Sequence, residues 1–317
     1  MGNIMELKLH DLPIKELPLS FQNLIGLEEL SLSCENVHLP SFVAKLPNLY
    51  DFYVTNCKGL QWVKSDVAEE DNLGSMVPSK LDLFCALSCK LDDNFFSAGF
   101  MQLAQVRSLI LQNNNFKHLP ECIKEFHNLN ELDVSHCKHL EEIRGLPPKL
   151  KYFIAKNCIC LTSTSLDMLL NKELYETTKS MFRFPGASFP KWFDLKSSGP
   201  SCSFWFRNKF PTRVLCLLIL HTDKDKFAFI APDVYINGKF QRGGGFCTKK
   251  EERMFEFDQT YLFDLQRHGN LFEQPLEKEW NHVKVTYNFF LDASIVKATG
   301  IHVFKEENME DIRFDGP

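Results

Sequence analysis

The residues best able to do chemistry in this chain are its 11 cysteines and 10 histidines. Clustered cysteines could hold zinc or form disulfides. The spacing favours neither of these. No C-x-x-C occurs, and neither Cys85 with Cys89 nor Cys158 with Cys160 matches a zinc ribbon. Asp223, Asp225 and Asp233 are oxygen donors of the type calcium needs, but Lys224 and Lys226 interleave the first two and no EF-hand spacing follows. Gly243, Gly244 and Gly245 could cradle a phosphate, yet no strand–glycine loop–helix pattern with a following lysine and serine surrounds them. They read as a hairpin loop, with Lys239, Phe240, Arg242 and Phe246 around it as contact residues. Neither Gly-x-Ser-x-Gly nor His-Glu-x-x-His is present. No catalytic, cofactor-binding or metal-binding residue is therefore assigned, and the expected activity is binding rather than catalysis.

The cysteines make sense once their spacing is compared with the leucines. In residues 106–137, Val106, Leu109 and Leu111 form L-x-x-L-x-L, Asn114 stands at the ninth position, and Leu129, Leu132, Val134 and Cys137 restart the pattern 23 residues later. A fixed period in this range is the mark of a leucine-rich repeat. Starts fall at Ile4, Leu27, Leu49, Leu81, Val106, Leu129 and Leu150, about seven units. Cys57, Cys89, Cys137 and Cys158 all occupy the ninth position, where the repeat takes Asn or Cys facing inward, so they are expected to be buried thiols. Leu-Pro pairs such as Leu17-Pro18, Leu39-Pro40 and Leu119-Pro120 are followed by apolar residues three and six positions past the proline. That spacing predicts a short helical or 3₁₀ segment on the convex side. The excess length between the third and fourth units lies in 61–80, acidic and turn-rich, and reads as an insertion.

Alternation decides which strand residues could touch a ligand. The L-x-L side chains point into the core, and the residues beside them point outward on the concave face. These are Lys8, His10, Ser31, Ser33, Tyr53, Thr55, Ile110, Gln112, Asp133, Ser135, Ile154 and Lys156. Tyr53, Ile110 and Ile154 stand out, because apolar groups are less expected on an open face.

The pattern decays after Leu150. Residues 161–181 read as a capping helix or linker, with Leu166, Leu169 and Leu170 on one face. From 182 to 317 the composition turns aromatic and turn-rich, and holds most of the 29 phenylalanines. Candidate strands are Cys202–Arg207, Val214–Leu220, Phe227–Ile230, Val234–Ile236, Met254–Phe257, Tyr261–Phe263, Val283–Leu291 and Ile301–Phe304. The predicted fold is an α/β leucine-rich-repeat solenoid, with a parallel sheet and short helices over 1–160, followed by an antiparallel β-sandwich over 182–317. The net charge of −5 argues against a nucleic-acid partner. The chain opens without a basic and apolar leader, and its longest apolar run, Val214–Leu220, cannot span a bilayer. No asparagine begins a glycosylation sequon. Together these predict a cytoplasmic protein, with access to the nucleus, that binds no membrane.

The order of elements carries a resemblance. Repeats with L-P steps are followed by Phe184, Pro185, Gly186, Pro190, Lys191, Trp192 and Phe193, then Ser203-Phe204-Trp205-Phe206-Arg207-Asn208, and a distal Gly300-Ile301-His302-Val303. This resembles the C-terminal end of plant TIR-type nucleotide-binding leucine-rich-repeat immune receptors. The resemblance implies that 182–317 is the post-repeat jelly-roll and immunoglobulin-like domain of that family. It also implies that repeats and post-repeat domain together recognise a pathogen effector, with weight on Trp192 and Phe193. Two other roles follow as alternatives: a truncated receptor acting as decoy or regulator of full-length receptors, and a carbohydrate-binding jelly roll using Trp192 and Trp205. The family's signalling parts precede the repeats. No G-x-x-x-x-G-K-[ST] or TIR-like segment occurs in this chain, so neither a nucleotide switch nor NAD hydrolysis is assigned.

Overall fold

The computed structural model describes residues 4–10, 19–33, 46–58, 60, 78, 80–176, 179–220, 232–241, 257–265, 279–287, 296–304 and 311–314. The Leu17-Pro18 and Leu39-Pro40 steps, nearly all of the 61–80 insertion, the glycine run and the Phe227–Ile230 strand lie outside these residues. The chain divides into two compact units, Met1–Leu166 and Asp167–Pro317.

In the first unit each repeat contributes one strand: β1 Glu6–His10, β2 Glu29–Ser33, β3 Asp51–Thr55, β4 Leu83–Leu87, β5 Ser108–Ile110, β7 Glu131–Asp133 and β9 Tyr152–Ile154. They pair in parallel in repeat order. The register stacks like on like. Leu7, Leu30, Phe52, Phe84, Leu109, Leu132 and Phe153 form one inward column across the sheet. All but Leu7 are buried. Each such side chain contributes roughly 1.5–3 kcal/mol by leaving water, and only a neighbouring repeat can supply the cover.

Five of these strands, β3, β4, β5, β7 and β9, are followed by a turn with a left-handed residue: Asn56, Ser88, Asn113, His136 and Asn157 have φ between 56° and 62°. The ninth-position residue follows and satisfies the turn. Asn114 Nδ2 donates to the carbonyls of Ala86, Leu111 and Gln112, and its Oδ1 accepts from the amides of Cys89 and Leu91. The cysteines do part of the same work with a thiol. Cys89, Cys137 and Cys158 donate to the carbonyls of Val54, Leu111 and Val134. Burial pushes the Cys137 thiol up to about 12, so it is an inert donor here rather than a nucleophile.

On the convex side the described connections include the 3₁₀ segments Asp93–Phe96, Ala98–Gln105 and Glu121–Glu125, with a short parallel pair β6 His118–Leu119 and β8 Glu142–Ile143. Phe96, Phe100, Phe116 and Phe126 run along the inner side of this layer, with ring centroids 4.9–5.1 Å apart between neighbours. The edge beyond β8 is closed from within the same unit. Thr162 N–H donates to the Glu141 carbonyl, and Ser165 Oγ takes the Ile143 amide. These residues open the helix α1 Ser163–Leu169, which a 3₁₀ turn, Lys172–Tyr175, follows. The 161–181 stretch is thus two short helical pieces and the start of a strand, and Leu169 is its fully buried leucine while Leu166 and Leu170 are half-buried.

The second unit carries two antiparallel five-strand arrays. One, in spatial order, is β10 Met181–Pro185, β16 Gln259–Asp264, β13 Val214–Leu220, β18 Val296–Val303 and β11 Leu195–Ser198. The other is β15 Lys239–Gln241, β14 Pro232–Ile236, β17 Trp280–Tyr287, β12 Ser201–Arg207 and β19 Ile312–Phe314. Val214–Leu220 is central and buried at every residue, as its unbroken apolar run requires. Phe263 of the first array meets Tyr287 of the second edge-on at 6.3 Å. Strands β10, β11, β15 and β19 were not foreseen. The sequence Met181-Phe182-Arg183-Phe184-Pro185 lacks alternation because all five residues are buried, and the Arg183 guanidinium lies 4.7 Å from the Tyr261 ring.

Candidate functional site

Three places in the described residues could serve recognition. The first is the outward face of the repeat sheet. Register places Lys8, Ser31, Tyr53, Cys85, Ile110, Asp133 and Ile154 in one column crossing all seven strands. Tyr53, Ile110, Gln112 and Ile154 are half-buried. Asp133 and Lys156 are only 4% and 6% exposed, which differs from the outward exposure expected of them. Asp133 is short and turns to local donors: its Oδ1 accepts the Ser135 amide at 2.8 Å and its Oδ2 the Gln112 amide group at 2.6 Å. It fixes Gln112 rather than presenting a free charge.

Beside that column runs a second one, built of acids. Glu6, Glu29 and Asp51 are in direct register on adjacent strands. The signal was available, since all three stand at the third position of their repeats. Lys8 offsets part of the charge by pairing with Glu6 and Glu29, and Arg107 pairs with Asp82 and donates to the Tyr50 hydroxyl at 3.2 Å. Burial, then the charges of Glu29 and Asp82, raise the Asp51 carboxyl above its ordinary range.

The second place is the Trp192 cluster in the second unit. Trp192 Nε1 donates to the Leu170 carbonyl at 2.8 Å, and its ring contacts those of Phe193 at 4.7 Å, His302 at 5.0 Å and Tyr175 at 6.2 Å. Phe193 is buried. Asp194 Oδ2 accepts the Val303 amide at 2.9 Å and lies 2.8 Å from His302 Nδ1. A Cβ on Gly300 would stand 2.7 Å from Phe189 and 3.0 Å from Phe193. The Pro-Lys-Trp-Phe and Gly-Ile-His-Val stretches, more than 100 residues apart, are therefore two sides of one packed cluster, where a glycine is needed for the aromatic rings to seat. Trp192 and Phe193 hold structure here.

The third place is the outer face of the second array. Asn237 and Gly238, at φ 50° and 79°, form the two-residue turn that joins β14 to β15. It carries Phe240, 58% exposed, against Tyr235 with centroids 5.6 Å apart. Trp205 and His282, paired across β12 and β17, lie 4.6 Å apart. Arg207 and Arg313 both approach the Trp280 ring, at 5.4 and 4.3 Å. Arg242 and Phe246 lie outside the described residues.

Among the described residues no group of three or more His, Cys, Asp or Glu side chains could hold a metal ion, and all nine described cysteines are free. No described helix is long and apolar enough to cross a membrane.

The chain is similar to plant disease resistance proteins. It is 31% identical over 162 residues to the disease resistance protein RPS4B of Arabidopsis thaliana, covering 48% of this chain and 14% of that protein. It is 27% identical over 224 residues to the disease resistance-like protein DSC1 of the same plant, covering 57% and 18%. With the TMV resistance protein N of Nicotiana glutinosa it shares 25% over 181 residues, covering 43% and 16%. The chain thus spans less than a fifth of the length of the curated relatives it matches. Among solved structures, the leucine-rich repeat domain of the type III effector XopL aligns with a TM-score of 0.40 at 23% identity, covering 50% of this chain and 54% of that one. Residues 1–173, more than half the chain, match the family model of RPS4B-like disease resistance protein leucine-rich repeats, and to that family the chain belongs.

Proposed function

We propose that this chain is a non-enzymatic recognition module of plant innate immunity, in which the outward face of the repeats and the second unit bind a protein ligand, a pathogen effector. The observation that carries this reading is the in-register outward column through Tyr53, Ile110 and Ile154. Half-buried aromatic and aliphatic side chains on a sheet face are the kind of anchor that dominates protein interfaces. In this reading the two antiparallel arrays are the post-repeat jelly-roll and immunoglobulin-like domain. The free thiols and the missing glycosylation sequons support a reducing compartment, the cytoplasm or the nucleus. Against the carbohydrate reading, Trp192 is ringed by Phe193, His302 and Tyr175, leaving little open face for a sugar.

The test is a binding panel of candidate effectors against the full chain and a Tyr53→Ala/Ile110→Ala variant. Loss of binding by roughly 30-fold, the scale of a hot-spot pair, is expected. An effector that binds both forms equally removes the repeat column from the interface. A decoy role would instead show as co-purification with a full-length receptor, weakened by the same pair of substitutions.

A further inference from the structure

The outer face of the β15-β14-β17-β12-β19 array has a composition that the packing of the second unit does not require. Inward positions are Cys202, Phe204, Phe206, Val234, Ile236, Val283, Val285 and Tyr287, all buried, so the core is complete without the other face. The outward positions fall into rows fixed by register. Phe240 faces Tyr235, and Tyr235 faces Lys284. One step along, His282 faces Trp205, and Trp205 faces Arg313. Each row sets aromatic rings beside one cation, Lys284 in the first and Arg313 in the second, and Phe240, Lys284 and Arg313 are exposed. Among the described residues, the acids Asp233 and Asp311 stand outside these rows. Asp233 lies in register with Thr286, and Asp311 is committed to Arg207 and Asn208. Four inter-strand steps span roughly 19 Å, about the reach of six residues of extended chain.

We infer that this sheet face is a docking surface for an acidic, aromatic-containing segment of a partner protein. Charge complementarity selects the occupant: carboxylates meet Lys284 and Arg313 while apolar side chains cover Phe240 and Tyr235. The rings argue against a nucleic-acid strand. Bases need open aromatic faces, whereas Trp280 has Arg207 and Arg313 against it, Trp205 has His282, and Tyr235 has Phe240. Among the described residues of these two rows, two exposed cations also supply far less than a phosphate backbone requires. This inference deepens the recognition reading and rests on it, by naming a second surface and the chemistry of what it takes.

The probe is a fluorescein-labelled copolymer of glutamate and tyrosine, titrated with the full chain by anisotropy at low salt. Poly-glutamate and a dT12 oligonucleotide serve as counter-probes. The copolymer is expected to bind more tightly than poly-glutamate and to weaken as salt rises. The Lys284→Glu/Arg313→Glu variant should bind it about tenfold or more weakly, while Lys284→Arg/Arg313→Lys retains binding. Both pairs lie at exposed positions, and an unchanged thermal midpoint shows the fold is kept; the salt dependence of the unsubstituted chain gives an independent reading if the reversal disturbs folding. No binding of the copolymer, equal binding by the charge-reversed form, tighter binding of dT12, or a face that merely pairs two copies of the chain would each overturn the inference. An effector that binds wild type and Lys284→Glu/Arg313→Glu alike, yet needs Tyr53 and Ile110, overturns this surface and leaves recognition by the repeats standing.

Discussion

Asn114 makes five hydrogen bonds from a side chain that is 2% exposed. Asn114→Ala would leave two amides and up to three carbonyls of adjacent repeats short of a partner inside the protein. A loss of about 2–4 kcal/mol is expected, measured as a lower urea midpoint with the slope unchanged. Loss below about 0.5 kcal/mol would mean that water replaces the amide and that the ninth position is not a strut. This residue and its cysteine counterparts were readable from the sequence, because a short inward donor is needed at the same step of each turn. Asp133 was not readable in the same way. Alternation put it on the outer face, but whether a carboxylate faces a ligand or the Ser135 amide depends on side-chain torsions that period alone does not fix.

At the scale of elements, the cluster joining the loop before β11 to strand β18 depends on the missing side chain at Gly300. A Cβ there would meet Phe189 at 2.7 Å, Phe193 at 3.0 Å and the Leu195 carbonyl at 3.1 Å. Gly300→Ala is expected to cost about 1–3 kcal/mol by overpacking, and Phe189→Leu in the same chain to recover part of it. A thermal midpoint unchanged by Gly300→Ala would show that the rings shift freely and that the glycine has another purpose. The strand periods of β12, β14 and β17 were visible in the sequence because each has one wet face. Strands β10 and β11 were not, since the first is buried on both sides and the second is a short edge of Leu-Lys-Ser-Ser with little apolar signal. The convex layer was legible as a spacing of apolar residues. That spacing allowed either a helical or a 3₁₀ segment, and Asp93–Phe96, Ala98–Gln105 and Glu121–Glu125 wind as 3₁₀.

Across the whole molecule, charge is laid out in two ways that the net value of −5 conceals. The repeats stack Glu6, Glu29 and Asp51, and the second unit presents Lys284 and Arg313. Because burial and its acidic neighbours raise the Asp51 carboxyl in the folded chain, folding favours its protonated form. The unfolded chain therefore gives up this proton more easily, and stability from this group is gained as pH falls through the folded-state value and lost as pH rises through it. Asp51→Asn should raise the thermal midpoint at pH 7, with the advantage fading toward about pH 3, where the carboxyl is protonated in both states. Added salt should shrink the advantage as well. An advantage that stayed constant with pH would trace to packing rather than charge. By itself the sequence determined the repeat architecture and the inward fate of the ninth-position thiols, because periodicity is a local property that each unit writes out again. The tertiary structure alone decided that Pro-Lys-Trp-Phe and Gly-Ile-His-Val form one cluster, that Asp133 and Lys156 are buried, and that aromatic and cationic residues from five strands share one face. The buried carboxylate depends on side-chain torsions, and the cluster and the shared face depend on which distant segments pair and in what register; pairing across roughly 50 to 110 residues leaves no period in the chain.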